Sequence, residues 1–152
     1  MFKNHPKGLL AAALTNMGER FGFYIMMAIL TLFISSKFGL SETTTGFIYS
    51  AFYASIYILA LVGGLIADKT RNYKRTIMWG LILMAVGYAI IAVPTKTPVD
   101  NLPIALAITC LGLLVIAFGN GLFKGNLQAI IGQMYDKKDY KDRIAKEFGV
   151  DE

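Results

Sequence analysis

The sequence predicts an all-α membrane protein with four transmembrane helices. Three observations predict it. Of the 152 residues, 55% are hydrophobic and only 16% are charged, whereas ordinary soluble domains carry about 25% charged residues. The apolar residues fall into blocks at 8–35, 46–67, 76–93 and 103–134. About 20 such residues suffice to cross a ~30 Å hydrocarbon core, and only the third block is short by that measure. Finally, the basic residues collect on alternate sides of the blocks, as lipid topology requires.

Other readings of the blocks fail on simple grounds. A closed barrel needs alternating strands of about 10 residues, and none is present. The first block is too long for a signal-peptide core, contains Glu19 and Arg20, and is followed by no small-residue cleavage site. A soluble four-helix bundle would need polar faces that these blocks lack.

The net charge is +5, and its placement sets the orientation. Lys3 and Lys7 precede the first block. Lys69, Arg71, Lys74 and Arg75 separate the second from the third, and Lys137, Lys138, Lys141, Arg143 and Lys146 follow the fourth. The other two loops carry only Lys37 and Lys96. Lys and Arg favour the cytoplasmic side. Both termini and the 68–75 loop are therefore expected inside, and the loops near 37–45 and 94–102 outside. These basic loops require no nucleic-acid partner. The partner that the composition demands is the lipid bilayer.

Taken in order, helix one opens after "NHPKG". At 1.5 Å per residue, Gly8 to Glu19 climbs roughly 16 Å, which places Glu19 and Arg20 near the bilayer midplane. "GLSETTTG" is a short outer turn in which Ser41 is the expected N-cap of helix two. "ADKTRNYKRT" is a tight basic inner loop before helix three. In "PTKTPVDNLP", Pro94, Pro98 and Pro103 break the chain. Helix four runs from about Ile104 and carries "GNGLFKGN" in its inner half. Residues 1–135 form the membrane unit, and 136–152 turn polar as a cytoplasmic tail or loop.

Glu19, Arg20 and Lys124 are the charges that the blocks bury. A charged side chain at a helix centre in lipid costs about 2.5–3.5 kcal/mol even on insertion scales. Such residues face a bundle interior or a wet cavity. Adjacent helical positions point about 100° apart, so the expected partner of Glu19 is Lys124 rather than Arg20. Asn16 lies one turn from both Glu19 and Arg20, and Tyr24 one turn from Arg20. The trio sums to one unmatched positive charge, which a bound carboxylate or loss of the Lys124 proton would balance. The plainer alternative is an ion pair that only holds helices together. Tyr49, Tyr53 and Tyr57 form a stripe that fits either a polar cavity wall or an aromatic packing ridge. Glycines 112, 119, 121 and 125 fit close helix approach or local flexibility. Cys110 is the only cysteine, so no intrachain disulfide forms. No His/Cys/Asp cluster has metal-ligand spacing, and no Ser/Lys or Asp/Asp constellation suggests an enzyme.

These residues resemble a known family. "NMGERFGFY" is similar to the first-helix signature ExxERFxYY of proton-coupled oligopeptide transporters, within the major facilitator superfamily. "GGLIADKTRNYKRT" (63–76) resembles the superfamily loop between helices two and three. "GNGLFKGN" (119–126) resembles the fourth-helix motif, in which a lysine precedes Pro-Asn. The resemblance implies that the chain is part of the N-terminal six-helix bundle of that fold. It implies import of di- and tripeptides by proton symport at a bacterial inner membrane, with protons as coupling ion and no other cofactor. Arg20, Tyr24, Tyr57, Lys124 and Asn126 would then bind substrate. Glu19 and Lys124 would couple to protons, with Asn16 at the position of a further glutamate. Gly64, Asp68, Lys74 and Arg75 would belong to a cytoplasmic gate.

The sequence departs from the pattern at Asn16, Phe23 and Gly125, which stand in place of glutamate, tyrosine and proline. Asn16 cannot titrate, so coupling would rest on Glu19 and Lys124. The length predicts a fragment whose partner is the missing remainder of the transporter. The competing expectations are a complete four-helix protein acting as a dimeric exporter of small molecules or cations, and a non-transporting assembly subunit.

Overall fold

Helix formation in this chain follows from burying backbone polar groups where no water can satisfy them, which a helix does within its own segment. A computed structural model describes residues 5–6, 8–93, 96 and 99–148. Lys3, Lys7, Pro94 and Pro98 lie outside the described residues. The helices are α1 (Leu9–Phe38), α2 (Glu42–Thr70), α3 (Tyr73–Ala92), α4 (Leu102–Asp136) and a short α5 (Lys138–Phe148). The first four are long and apolar enough to cross a membrane.

The helices outrun the apolar blocks because polar residues cap them. Ser41 precedes α2 in an extended conformation, and its side chain accepts a hydrogen bond from the Thr44 amide at 3.2 Å. That starts α2 at Glu42, four residues before the apolar block. Asn72 does the same for α3, accepting from the Arg75 amide at 3.2 Å. Asn101 caps α4, where Pro103 sits in the first turn and gives up an amide that would have no helical partner. Gly39 closes α1 in the left-handed conformation, its amide donating to the Ser35 carbonyl. The tail expected at 136–152 is helical over α5, apart from residues 149–152, which lie outside the described residues.

Helix α4 is central and packs chiefly on α3 and α2. Glycine makes this possible at two crossings. A Cβ on Gly121 would lie against the Leu59 carbonyl and 2.9 Å from the Ala60 nitrogen. A Cβ on Gly119 would come 2.6 Å from the Gly80 carbonyl oxygen, and one on Gly80 would come 2.7 Å from that of Gly119. Packing is therefore the role of these glycines, since lipid supplies no hydrophobic force between helices and close backbone contact must hold them. Gly125 differs, with nothing within 4 Å of its would-be Cβ. It continues α4 without a break where the resembled motif has proline.

Helix α1 lies on this frame along one stripe. Phe23, Met27, Leu30, Ile34 and Phe38 are buried at spacings of three or four against Phe52, Ile56, Leu113, Ile116 and Ala117. A second cluster joins Ala12 to Ile77, Met84, Phe123 and Leu127. Between Ala12 and Phe23 no residue of α1 is fully buried. The polar residues of the first helix fall in that gap.

Candidate functional site

The gap between the two apolar clusters is bridged by polar contacts. Glu19 and Arg20 pair with each other. The Arg20 Nε donates to Glu19 Oε2 at 2.5 Å and a terminal guanidinium nitrogen donates to Oε1 at 2.7 Å. This corrects the expectation that adjacent residues pair poorly. Backbone directions 100° apart do not prevent it, because two long side chains can fold toward one another into a fork geometry. The Glu19 side chain is only 4% exposed and that of Arg20 21%. At such burial, an unpaired charge would cost far more than the rotamer entropy that the pair spends.

The expected Glu19–Lys124 ion pair is also corrected. The partner that α4 offers Glu19 is Asn120, whose Nδ2 donates to Oε1 at 2.8 Å. Asn120 is fully buried. Its amide also lies 3.8 Å from the Met84 sulfur of α3. Lys124 is one turn further along α4, half-buried, with Nζ 4.6 Å from the centroid of the Tyr57 ring on α2. Among the described residues it has no carboxylate partner. A cation on a ring face gains about 0.5–2 kcal/mol, less than the desolvation of an ammonium at this depth.

The aromatic residues extend the strip on both sides. The Arg20 guanidinium carbon lies 5.0 Å from the Phe23 ring centroid and 6.0 Å from that of Tyr24. Tyr24 is 63% exposed. On α2 the Tyr53 and Tyr57 hydroxyls are 3.1 Å apart. The Tyr53 ring stacks on Tyr49, and Tyr49 packs on the outer apolar cluster. Both readings of the tyrosine stripe hold on different turns: Tyr49 is part of a packing ridge, and Tyr53 and Tyr57 face the open side. Tyr88 on α3 is half-buried and packs against both apolar clusters that flank the gap. The resulting order across the open face is Tyr24, Arg20, Glu19, Asn120, Lys124, Tyr57, Tyr53.

Two expected members stand elsewhere. Asn126 is buried, and its amide donates to the Gly63 carbonyl of α2 at 3.1 Å and to Leu122 of its own helix at 2.7 Å. Both of its amide donors are engaged there, one of them clamping α4 to α2. Asn16 is exposed on α1, one turn before Glu19. At the α2–α3 turn, Gly64 is half-buried, while Asp68, Lys74 and Arg75 are exposed. Asp68 accepts a hydrogen bond from the Tyr73 hydroxyl at 2.8 Å across the α2–α3 turn. Arg71 makes that turn in the left-handed conformation, with φ 50°.

Residues 12–145 match the family model described as Major Facilitator Superfamily. The chain belongs to the Major Facilitator Superfamily. Its four long apolar helices fit an integral membrane protein of that superfamily. It is similar to dipeptide and tripeptide permease A of Klebsiella pneumoniae (strain 342), with 34% identity over 134 residues that cover 88% of this chain and 25% of the relative. The permease of the same name from Cronobacter turicensis is 35% identical over the same shares, and that from Escherichia coli K12 34%. The chain thus spans about a quarter of the length of these curated relatives. The superfamily motifs expected on α1, α4 and the 63–76 loop are the segments that build the strip and the α2–α3 turn described above.

Asn120 is the member of the strip that the sequence reading missed. Its signal was present: a polar residue inside an apolar block, four residues before Lys124 and so on the same helical face. Its flanking glycines made it read as part of a packing seam.

Proposed function

We propose that this chain supplies the opening helices of a transporter that imports di- and tripeptides together with protons across a bacterial inner membrane, with both of its termini cytoplasmic. The carrying observation is Lys124: a cation at membrane depth, without a carboxylate partner among the described residues, beside exposed tyrosines. An anionic group would match it, and a short peptide ends in one. The names of the relatives support peptides as that substrate class. Lys124 attracts the peptide carboxylate, Tyr57, Tyr53 and Tyr24 offer hydroxyls to its polar atoms, and Arg20 joins as its pairing to Glu19 loosens. Glu19 takes up the coupling proton, because it is the acid that links α1 to α4. Gly64, Asp68, Lys74 and Arg75 form part of the inner gate. The remainder of the transporter closes the open face. A dimeric four-helix cation exporter fits poorly, since the site already carries an excess of positive charge.

The test uses a chimera in which this chain replaces the matching quarter of Escherichia coli dipeptide and tripeptide permease A. Lys124→Gln is expected to lower accumulation of a labelled dipeptide about ten- to a hundred-fold, the worth of one charge-assisted hydrogen bond. Undiminished uptake would reject Lys124 as the substrate's anchor.

A further inference from the structure

Asn120 has a feature that helix packing leaves unexplained. It is fully buried, its Nδ2 meets Glu19, and its Oδ1 has no hydrogen-bond partner among the described residues. Buried polar atoms are almost always paired, since an orphan carbonyl loses its water for nothing. The chemistry of the neighbour fixes which end of the carboxamide faces it. A carboxylate only accepts hydrogen bonds, so the NH2 end must point to Glu19 and the oxygen must point away. This is the orientation that the charged form requires, whereas a protonated Glu19 adds an O–H that Nδ2 cannot accept.

We infer that Asn120 is a positioning residue that keeps Glu19 hydrogen-bonded to α4 in both of its protonation states, by turning its carboxamide end for end. This deepens the proton-coupling reading of Glu19 and rests on it. In the charged state, Nδ2 donates to Oε1 and Oδ1 is left without a partner. When hydronium delivers its proton and leaves as water, Glu19 becomes a carboxylic acid with an O–H to donate. Half a turn about the Asn120 χ2 then presents Oδ1 to that O–H, and the orphan acceptor gains its bond. The NH2 group moves to where the oxygen was. Loss of the proton to water reverses the turn.

Among the described residues, the other hydrogen-bond partner of Glu19 is Arg20. Arg20 is a permanent donor and favours the charged form alone. From α3, Tyr88 packs against the two apolar clusters on either side of the pair, and from α4, Lys124 sits one turn beyond Asn120 with its ammonium on the Tyr57 ring of α2. Tyr24 on α1 lies toward Arg20. Of the two side chains hydrogen-bonded to Glu19 among the described residues, Asn120 is the one that carries a neutral donor and acceptor on a rotating group. The consequence is mechanical: protonation of Glu19 changes its charge without releasing α1 from α4 at this point.

The test is infrared titration of the full chain in lipid vesicles. It follows the carboxylic C=O band of Glu19, assigned by its loss in Glu19→Gln. It also follows the side-chain amide C=O band of isotope-labelled Asn120, assigned by its loss in Asn120→Ser. As Glu19 takes up its proton, the Asn120 band is expected to shift to lower frequency with the same midpoint, because its oxygen then accepts a hydrogen bond. An Asn120 band that stays fixed through the titration, or a Glu19 band that never forms, would overturn the proposal. In Asn120→Leu both forms lose a bond, and the charged form loses the stronger, charge-assisted one, so the midpoint is expected to move up by about one pH unit. An unmoved midpoint would show Asn120 to be packing only. The wild-type shift decides the matter if that variant fails to fold. Uptake plays no part in this titration, so a longer carrier that moved peptides without protons would refute the transport reading and leave this one standing.

Discussion

Gly121→Leu is expected to collapse the tertiary structure while leaving the helices formed. A side chain at this position has nowhere to go, because even its Cβ would overlap the Leu59–Ala60 backbone of α2. Overpacking a core that can shift costs about 1–3 kcal/mol. Here the obstacle is main chain held by its own helical hydrogen bonds, so α2 and α4 must separate. That separation also breaks the Asn126 bond to the Gly63 carbonyl. Near-ultraviolet circular dichroism of the chain in lipid nanodiscs should lose its thermal transition, while the far-ultraviolet signal keeps its helical form. Gly125→Ala is the control, since that position has open space around it, and its midpoint should hold or rise. A Gly121→Leu chain that melted like the parent would show that the α2–α4 crossing is looser than described.

The second large effect concerns the buried ion pair. Glu19→Gln leaves the Arg20 cation without its counter-charge, and Arg20→Leu leaves the Glu19 carboxylate with the neutral Asn120 amide but no cation. Breaking a buried pair from one side costs about 3–5 kcal/mol, whereas replacing both partners is often close to neutral. The Glu19→Gln/Arg20→Leu double variant should therefore be more stable than either single variant. The lower end of the range applies, because Arg20 keeps 21% of its side chain exposed. A double-mutant cycle on unfolding free energies reads the coupling directly. Simple additivity of the two losses would mean that the pair is not formed in the bilayer.

The fold was largely readable from the sequence because lipid leaves few choices. Long apolar blocks must be helices, and basic loops must alternate. The positions of Ser41, Glu19 and Lys124 in those elements followed from spacing alone. What escaped was governed by side-chain torsions and by contacts between helices far apart in sequence. Angular separation on a helical wheel argued against a Glu19–Arg20 pair, yet two flexible chains closed the distance. Residue spacing also cannot tell which turn of α4 meets which turn of α1. The carboxylate met Asn120 rather than Lys124, a difference of one turn. Asn126 carried the look of a binding residue by its place in the motif, but the glycines at 63 and 121 draw α2 so close that its amide is consumed by the Gly63 carbonyl.

Everything functional here depends on α1 meeting α4 through a carboxylate and a carboxamide, with the Lys124 cation left open beside them. Solid-state nuclear magnetic resonance of the chain in lipid, with the Glu19 carboxyl carbon and the Asn120 side-chain nitrogen labelled, tests that contact most directly. The 2.8 Å hydrogen bond predicts a strong dipolar coupling between the two nuclei when Glu19 is charged. If the carboxyl carbon coupled instead to the Lys124 ammonium nitrogen, or to no nitrogen of α4, the site described here would not exist.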